Sequence, residues 1–322
     1  MPMNNYPLVS VIISAYNHER FVQETIRSII AQTYQNIELI IIDDGSSDRT
    51  YQKILELKPI CEQRFKRVVM ETQDNQGTCI TFNKLIEKVQ GQFIYIIASD
   101  DVAKPQAIET LTNFMISHND YVVVVGDNEF IGENSECMGW DELGFNVRLS
   151  EARYKTFGTY LRHLRKEIDF LSGEFGSYKS LIQNNYIPNG ALTRTTAQKK
   201  RALCTKKAPL EDWFMHLQLS KLGKYKYIDE VLLSYRQHLE NTFRRRDMMV
   251  KYALKTLLYE QKLVHQKNME QWAEIFDEYA VQRKTKFRVG KLLHYYKKID
   301  LEYKTNILEI FGRKFTVKRK KR

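Results

Sequence analysis

The sequence predicts an α/β protein: a doubly wound, mostly parallel sheet flanked by helices, with a helical appendage at the C-terminus. Three observations lead there. Runs rich in β-branched residues recur through the first 125 or so residues, at Leu8–Ser14, Ile37–Asp43, Phe93–Ala98 and Tyr121–Gly126. Their hydrophobicity is near-continuous rather than alternating, which suits strands buried on both faces. Helical stripes separate them, and strand alternating with helix calls for right-handed crossovers in one sheet.

The elements follow in order. After the first run, Asn17 is a candidate N-cap for a helix carrying Phe21, Ile26, Ile29 and Ile30 at helical spacing. The second run ends in acids, and Ser46-Ser47-Asp48 can cap the segment with Ile54, Leu55 and Leu57. A weaker strand falls at Arg67–Glu71. Phe82, Leu85, Ile86 and Val89 form a third stripe, closed by Gly91. Pro105 opens a fourth, with Ile108, Leu111 and Met115. Residues 127–208 are less regular, with loops at Gly132–Gly144 and Asn184–Asn189. A helix is expected over Leu210–Leu222, stopped by Gly223, and a strand over Ile228–Tyr235. Beyond Arg244 the pattern is helical, over Met248–Gln266, Glu270–Lys284, Val289–Tyr296 and Tyr303–Phe311. The expected division is therefore residues 1–243, with halves 1–126 and 127–243, and a basic region 244–322.

The chain has 322 residues, 43% hydrophobic and 28% charged, which excludes bulk disorder. No stretch approaches the roughly 18 apolar residues of a membrane span, and the N-terminal apolar run is too short for a signal peptide. Cytoplasmic location is the expectation. Cys61, Cys79, Cys137 and Cys204 follow no metal or redox spacing and read as reduced thiols. From Arg244 onward there are 22 Lys/Arg against 9 Asp/Glu, a net +13; the whole chain is +11, so residues 1–243 carry −2. The basic character belongs to the tail. It suits a solvated face or an anionic membrane surface, and aromatic Phe287, Tyr295 and Tyr296 among its cations favour the membrane. No recognition motif for nucleic acid accompanies it.

Ligands of open parallel sheets bind at the carboxyl ends of the strands. There the first strand delivers Ser14-Ala15-Tyr16-Asn17, the second Asp43-Asp44-Gly45-Ser46-Ser47-Asp48, and a later one Ser99-Asp100-Asp101. Two pairs of adjacent carboxylates repel one another unless something positive compensates. A hard cation, Mg²⁺ or Mn²⁺, answers this and brings phosphates with it. No Walker-type or Gly-x-Gly-x-x-Gly loop is present to cradle phosphates by backbone alone.

These segments closely resemble the family 2 glycosyltransferases of the GT-A fold. The resemblance runs through Val9–Asn17, Ser28-Ile29-Ile30-Ala31-Gln32-Thr33-Tyr34 and Glu38–Asp48, then Asn75-Gln76-Gly77, Asn83 and Ser99-Asp100-Asp101. It returns at Glu211-Asp212-Trp213 and Tyr235-Arg236-Gln237-His238, covering residues 8–242. It implies that Asp44 bonds the N3–H of a uracil or thymine, with Asp43 its structural neighbour. Tyr16 lies against the base, and Ser14, Asn17 and Asn83 belong to the nucleotide site. Asp100 and Asp101 take the metal and ribose position, although Ala98 replaces the first acid of the commoner Asp-x-Asp-Asp form. Asp212, with Glu211 beside it, resembles the base that deprotonates the acceptor hydroxyl. A helix N-terminus there would favour its ionised form. His238 resembles an imidazole that some members add to the metal, and Arg236 is a candidate partner for phosphate. Tyr186-Ile187-Pro188-Asn189-Gly190 falls where relatives shape the acceptor pocket.

The resemblance thus implies an inverting, metal-dependent transferase. It would move a hexose or N-acetylhexosamine from a UDP-sugar, or a dTDP-sugar, to a glycan or lipid-linked glycan in surface-polysaccharide synthesis. A lipid-linked acceptor would place the protein peripherally at the inner face of the cytoplasmic membrane. A nucleotidyltransferase would need the absent Gly-rich, Lys-containing loop, and intact Asp212 argues against a non-catalytic nucleotide-sugar-binding protein.

Overall fold

The computed structural model describes residues 6–142, 144–166, 168–238, 241, 246–266, 269–281, 305–310 and 313–318. The elements begin with β1 (Val9–Ala15), α1 (Val22–Ile30), β2 (Ile37–Asp43), α2 (Thr50–Glu56), α3 (Lys58–Arg64), β3 (Arg67–Thr72), α4 (Thr78–Lys88) and β4 (Phe93–Ile96). They continue with β5 (Val102–Ala103), α5 (Ala107–Ser117), β6 (Tyr121–Ile131), β7 (Cys137–Trp140), β8 (Asn146–Arg148), α6 (Phe157–Leu164) and α7 (Tyr178–Leu181). Then come β9 (Leu192–Arg194), α8 (Thr195–Lys200), α9 (Glu211–Leu219), β10 (Lys224–Arg236), α10 (Arg246–Gln266), α11 (Glu270–Val281), β11 (Thr305–Ile310) and β12 (Arg313–Lys318).

The main sheet runs β3-β2-β1-β4-β9-β6-β10-β5, with β7 and β8 off β6. β3, β2, β1 and β4 are parallel to one another. β9 lies antiparallel to both β4 and β6, so β6 and its parallel partner β10 point the same way as β1. The carboxyl ends of six strands therefore gather at one edge.

Both faces are covered, as the continuous hydrophobicity of the strands requires. All seven residues of β2 are buried. Val9, Val11, Ile13 and Ala15 of β1 face one layer with Val22, Ile26, Ile54, Ile108 and Leu111 from the helices. Ile12 faces the other, with Leu85, Leu181, Trp213 and Leu217. Burying each such side chain contributes about 1.5–3 kcal/mol before entropy is counted.

Several elements differ from the sequence reading. Asn17 does not cap α1; it stands at φ +53° in the preceding loop, and the helix starts five residues on. The segment after Ser46-Ser47-Asp48 is two helices, because Pro59 at the second position of α3 starts a new one and has no N–H to continue the first. β6 and β10 are longer than expected, since pairing along each other extends both beyond their most apolar stretch. Of the helix expected at Tyr303–Phe311, the described residues Thr305–Ile310 are instead β11, antiparallel to β12. β-Branched Thr305, Ile307 and Ile310 suit a strand as readily as a helix. The helix expected at Val289–Tyr296 lies outside the described residues, as does the end of the one expected to reach Lys284. The boundary drawn near residue 243 separates elements that share a core: Leu257, Val264 and Phe276 pack in the same cluster as Leu217 and Trp213.

Candidate active site

The first loops at the sheet edge are laced together. Asn17 donates its backbone N–H to Ser46 Oγ at 2.9 Å, and its side-chain oxygen accepts from the Ser47 N–H at 2.8 Å. Asp43 accepts from the Ser46 hydroxyl and backbone N–H and from Thr72 Oγ1 at 2.9 Å, holding the turn. Gly45 stands at φ +71°, and a Cβ there would lie 2.7 Å from the Asn75 nitrogen. That close approach brings the Asn75-Gln76-Gly77 loop onto Asp44, whose carboxylate accepts from Gln76 N–H at 2.9 Å, Gly77 N–H at 2.8 Å and Gln73 Nε2 at 2.7 Å. Ser14 is half-buried at the end of β1, and Tyr16 is 48% exposed beside it, an open aromatic face at the rim.

Asp100 and Asp101 part company. Asp100 meets His238 Nε2 at 2.9 Å through Oδ2. His18, from the β1 loop, joins them, and one ligand atom from each of the three lies within 4.8 Å of the others. Asp101 is fully buried instead. Its Oδ1 accepts from the Arg236 N–H and its Oδ2 from Asn189 Nδ2, each at 3.0 Å. Burial, then the Asp100 charge, holds its carboxyl well above the usual carboxylate range. Asp101 serves as an internal strut, and Asp100 is the acid beside the imidazoles.

Two candidates take structural posts. Arg236 is fully buried. Its guanidinium donates to the Asp100 carbonyl at 2.7 Å, the Gly132 carbonyl and Ser135 Oγ at 3.0 Å, and Glu24 Oε2 at 2.5 Å. A guanidinium so enclosed is a clasp between β10 and α1, with no approach for a phosphate. Asn83 donates to the Cys204 carbonyl at 2.8 Å and accepts its N–H at 3.0 Å. The pair pins the loop leading to α9.

Glu211 and Asp212 open α9, whose position Trp213 locks by donating Nε1–H to the Leu181 carbonyl at 2.8 Å. Asp212 reaches solvent while protein surrounds it; its Oδ1 accepts from the Trp213 N–H at 2.6 Å and its Oδ2 from Asn185 Nδ2 at 2.7 Å. Burial raises its pKa despite the helix N-terminus. Half-buried Glu211 is pushed up to about 8, by burial first and the Asp212 charge second. The helix dipole expected to favour the Asp212 anion loses to desolvation, since dipole effects are typically under about 1 kcal/mol.

One loop ties the two acidic centres together. Asn185 holds Asp212 and Asn189, four residues on, holds Asp101. Gly190 follows at φ +80°, where a Cβ would meet Leu233 Cδ1 at 2.8 Å. Tyr235 lies among these acids: burial, then Asp101, Asp100 and Asp212, push its hydroxyl pKa up. The side chain of Gln237, 3% exposed, tempers that rise by hydrogen bonding to the Tyr235 hydroxyl. The sequence reading missed His18, Ser99, Asn185 and Asn189 as individual side chains. His18 follows Tyr16-Asn17 at the same strand end, a signal that could have found it; Asn189 falls in the Tyr186–Gly190 segment expected to shape the acceptor pocket, and Asn185 carries no signal.

A doubly wound sheet with its acids and imidazoles at one edge, and a carboxylate brought in on a separate helix, defines a GT-A-type glycosyltransferase. The model of glycosyl transferase family 2 matches residues 10–179, and the chain belongs to that family. A glycosyltransferase of Haemophilus influenzae is 29% identical over 74% of this chain and 68% of its own length. Other relatives are matched over half of their length or less. Among solved structures, S. aureus TarS 1–349 in complex with UDP-GlcNAc aligns with a TM-score of 0.56 at 15% identity, over 88% of this chain and 78% of that one. A Pyrobaculum calidifontis mannosyltransferase in complex with GDP-Man and Mn²⁺ aligns at 0.53 and 14% identity, over 93% and 82%. Both share the fold.

Proposed function

We propose that the chain transfers a hexose or N-acetylhexosamine, with inversion, from a nucleoside-diphosphate sugar to a hydroxyl of a glycan or lipid-linked glycan. The observation that carries this reading is the five-residue span joining Asp212, through Asn185, to the Asp100–Asp101 pair, through Asn189. In this reading the span links the side chain that would act as base to the acids that would meet the diphosphate. UDP is the first choice of nucleotide, since TarS binds UDP-GlcNAc, with dTDP an alternative. Surface-polysaccharide synthesis is the setting that the family resemblance implies.

In this reading Tyr16 stacks on the base, and Asp44 keeps one lone pair for its N3–H beyond the three bonds it accepts. Asp100 and His238 hold a divalent cation, which would neutralise the departing diphosphate. Asp212, its carboxylate oriented by Asn185 and the Trp213 N–H, takes the proton of the acceptor hydroxyl as that oxygen attacks the sugar C1. Glu211, protonated near neutrality, adds no second charge to repel the acceptor. The basic tail meets an anionic membrane surface where a lipid-linked acceptor would lie.

Asp212→Asn tests the core of it. Transfer should fall by at least about 100-fold, the usual contribution of general-base catalysis, while UDP plus Mn²⁺ still raises the melting temperature as in the unaltered chain. Surviving transfer would place the base elsewhere.

A further inference from the structure

The imidazole of His18 stands apart from the groups assigned so far. Its Nδ1 shares a hydrogen with Ser99 Oγ at 2.7 Å, and its backbone N–H donates to Thr50 Oγ1 at 2.7 Å, so both ring and backbone are held. The His18 and His238 rings meet edge to face, 5.6 Å between centroids and 89° between planes. His238 is steadied in turn by Phe21, 4.9 Å between centroids, and by its backbone N–H on Asn241 Oδ1 at 2.5 Å. Asp100 lies beside both rings, and one ligand atom from each of the three is within 4.8 Å of the others. Such a spacing needs only small rotamer adjustments for all three to reach one ion at the 2.0–2.2 Å typical of nitrogen and oxygen ligands.

We propose that His18 is a metal ligand, completing a set of two imidazoles and one carboxylate drawn from three chain segments. The inference rests on the metal-dependent reading above and deepens it by naming the ligands and the class of cation. Ala98 offers no donor on the strand side of Asp100, and His18 from the β1 loop brings the count to three. Two nitrogen donors change which ion the site prefers. Mg²⁺ demands oxygen ligands in near-ideal octahedral geometry and parts reluctantly with its water. Imidazole suits transition ions, and affinity for nitrogen-containing sites rises from Mn²⁺ towards Co²⁺ and Zn²⁺. The site therefore takes Mn²⁺ or a later transition ion in preference to Mg²⁺. Ser99 sets the orientation of the His18 ring, as partners behind metal-bound imidazoles commonly do.

Mn²⁺ binding to the full chain, alone and with UDP, tests this by electron paramagnetic resonance. Unaltered protein should retain Mn²⁺ against a large excess of Mg²⁺, and its spin-echo spectrum should show coupling to two imidazole nitrogens. His18→Gln should show coupling to one and bind Mn²⁺ at least about tenfold more weakly. His238→Gln should do the same. Coupling to a single nitrogen in the unaltered protein, or a spectrum indifferent to His18→Gln, would remove His18 from the site and leave the metal-dependent reading standing. Absence of Mn²⁺ binding in both conditions would overturn that reading itself, and the inference with it. Should His18→Gln not fold, the nitrogen count of the unaltered protein decides alone.

Discussion

At the scale of single residues, the proposed chemistry turns on how Asp212 would be kept usable as a base. Burial lifts its pKa, and two hydrogen bonds, from Trp213 N–H and Asn185 Nδ2, pull it back. Glu211 on its own helix, Tyr235 on β10, and the thiols of Cys79 on α4 and Cys204 complete the titratable groups that sense it. Asn185→Ala removes one of the two bonds, so the acid limb of kcat/KM should move to higher pH, with activity reduced more at pH 6 than at pH 8. An acid limb that stays in place would assign Asn185 a packing role only. Glu211 gives a stability signature of definite sign. Its folded pKa of about 8 exceeds the ordinary 4.5, so the unfolded chain releases this proton first. Its contribution to stability is then fully present below pH 4.5 and is lost as pH rises towards 8. Glu211→Gln should match the unaltered protein in urea midpoint at acid pH and exceed it increasingly across that window. A constant difference between the two would refute the shift.

At the scale of elements, α9 carries Asp212, and its start is tethered from several directions. Asn83 grips Cys204 ahead of it, Leu210 N–H donates to Thr256 Oγ1 of α10 at 3.2 Å, and Trp213 reaches Leu181. Behind α9 lies a buried polar node. Glu260 of α10, fully buried, accepts from Tyr178 Oη at 2.7 Å, from Gln218 Nε2 at 2.5 Å and from the Lys221 ammonium. The Lys221 side chain is 5% exposed. Glu260→Ala would leave that cation buried without its counter-ion, at a cost of about 3–5 kcal/mol. Chemical denaturation should show this, whereas Glu260→Gln should cost less because the amide oxygen still accepts. Equal stability for Glu260→Ala would mean that α10 docks by its apolar contacts alone.

At the scale of the whole molecule, charge and catalysis are segregated. Residues 282–322 carry 15 Lys/Arg against 3 Asp/Glu, while the half bearing the acids is slightly negative. Among the described residues no helix is long and apolar enough to cross a membrane. A surface attachment would draw about 1 kcal/mol per basic side chain near anionic lipid and weaken with salt. The full chain should float with phosphatidylglycerol-containing vesicles at low salt, and a chain ended after residue 281 should not. Retained flotation of the shorter chain would dismiss the tail as the anchor.

The local signals carried far. Hydrophobic runs, strand-end acids and the order of the motifs were enough for the α/β class and the family, because period and residue type are properties of neighbours along the chain. What each side chain does once folded depends on atoms 30 to 210 residues away in sequence, such as Glu24 closing on Arg236 or Cys204 on Asn83. Hence the two adjacent acids that look equivalent in Ser99-Asp100-Asp101 separate. Pairing of β10 beside β6 buries one against Arg236 and Asn189, and leaves the other beside two imidazoles. The same packing turned a helix start that should favour an anion into a site where desolvation dominates. Sequence by itself determined the fold class and the stock of chemical groups. Only the tertiary structure decided which of those groups meet the cleft and which are walled in, since burial and hydrogen-bond partners are set by packing and not by order in the chain.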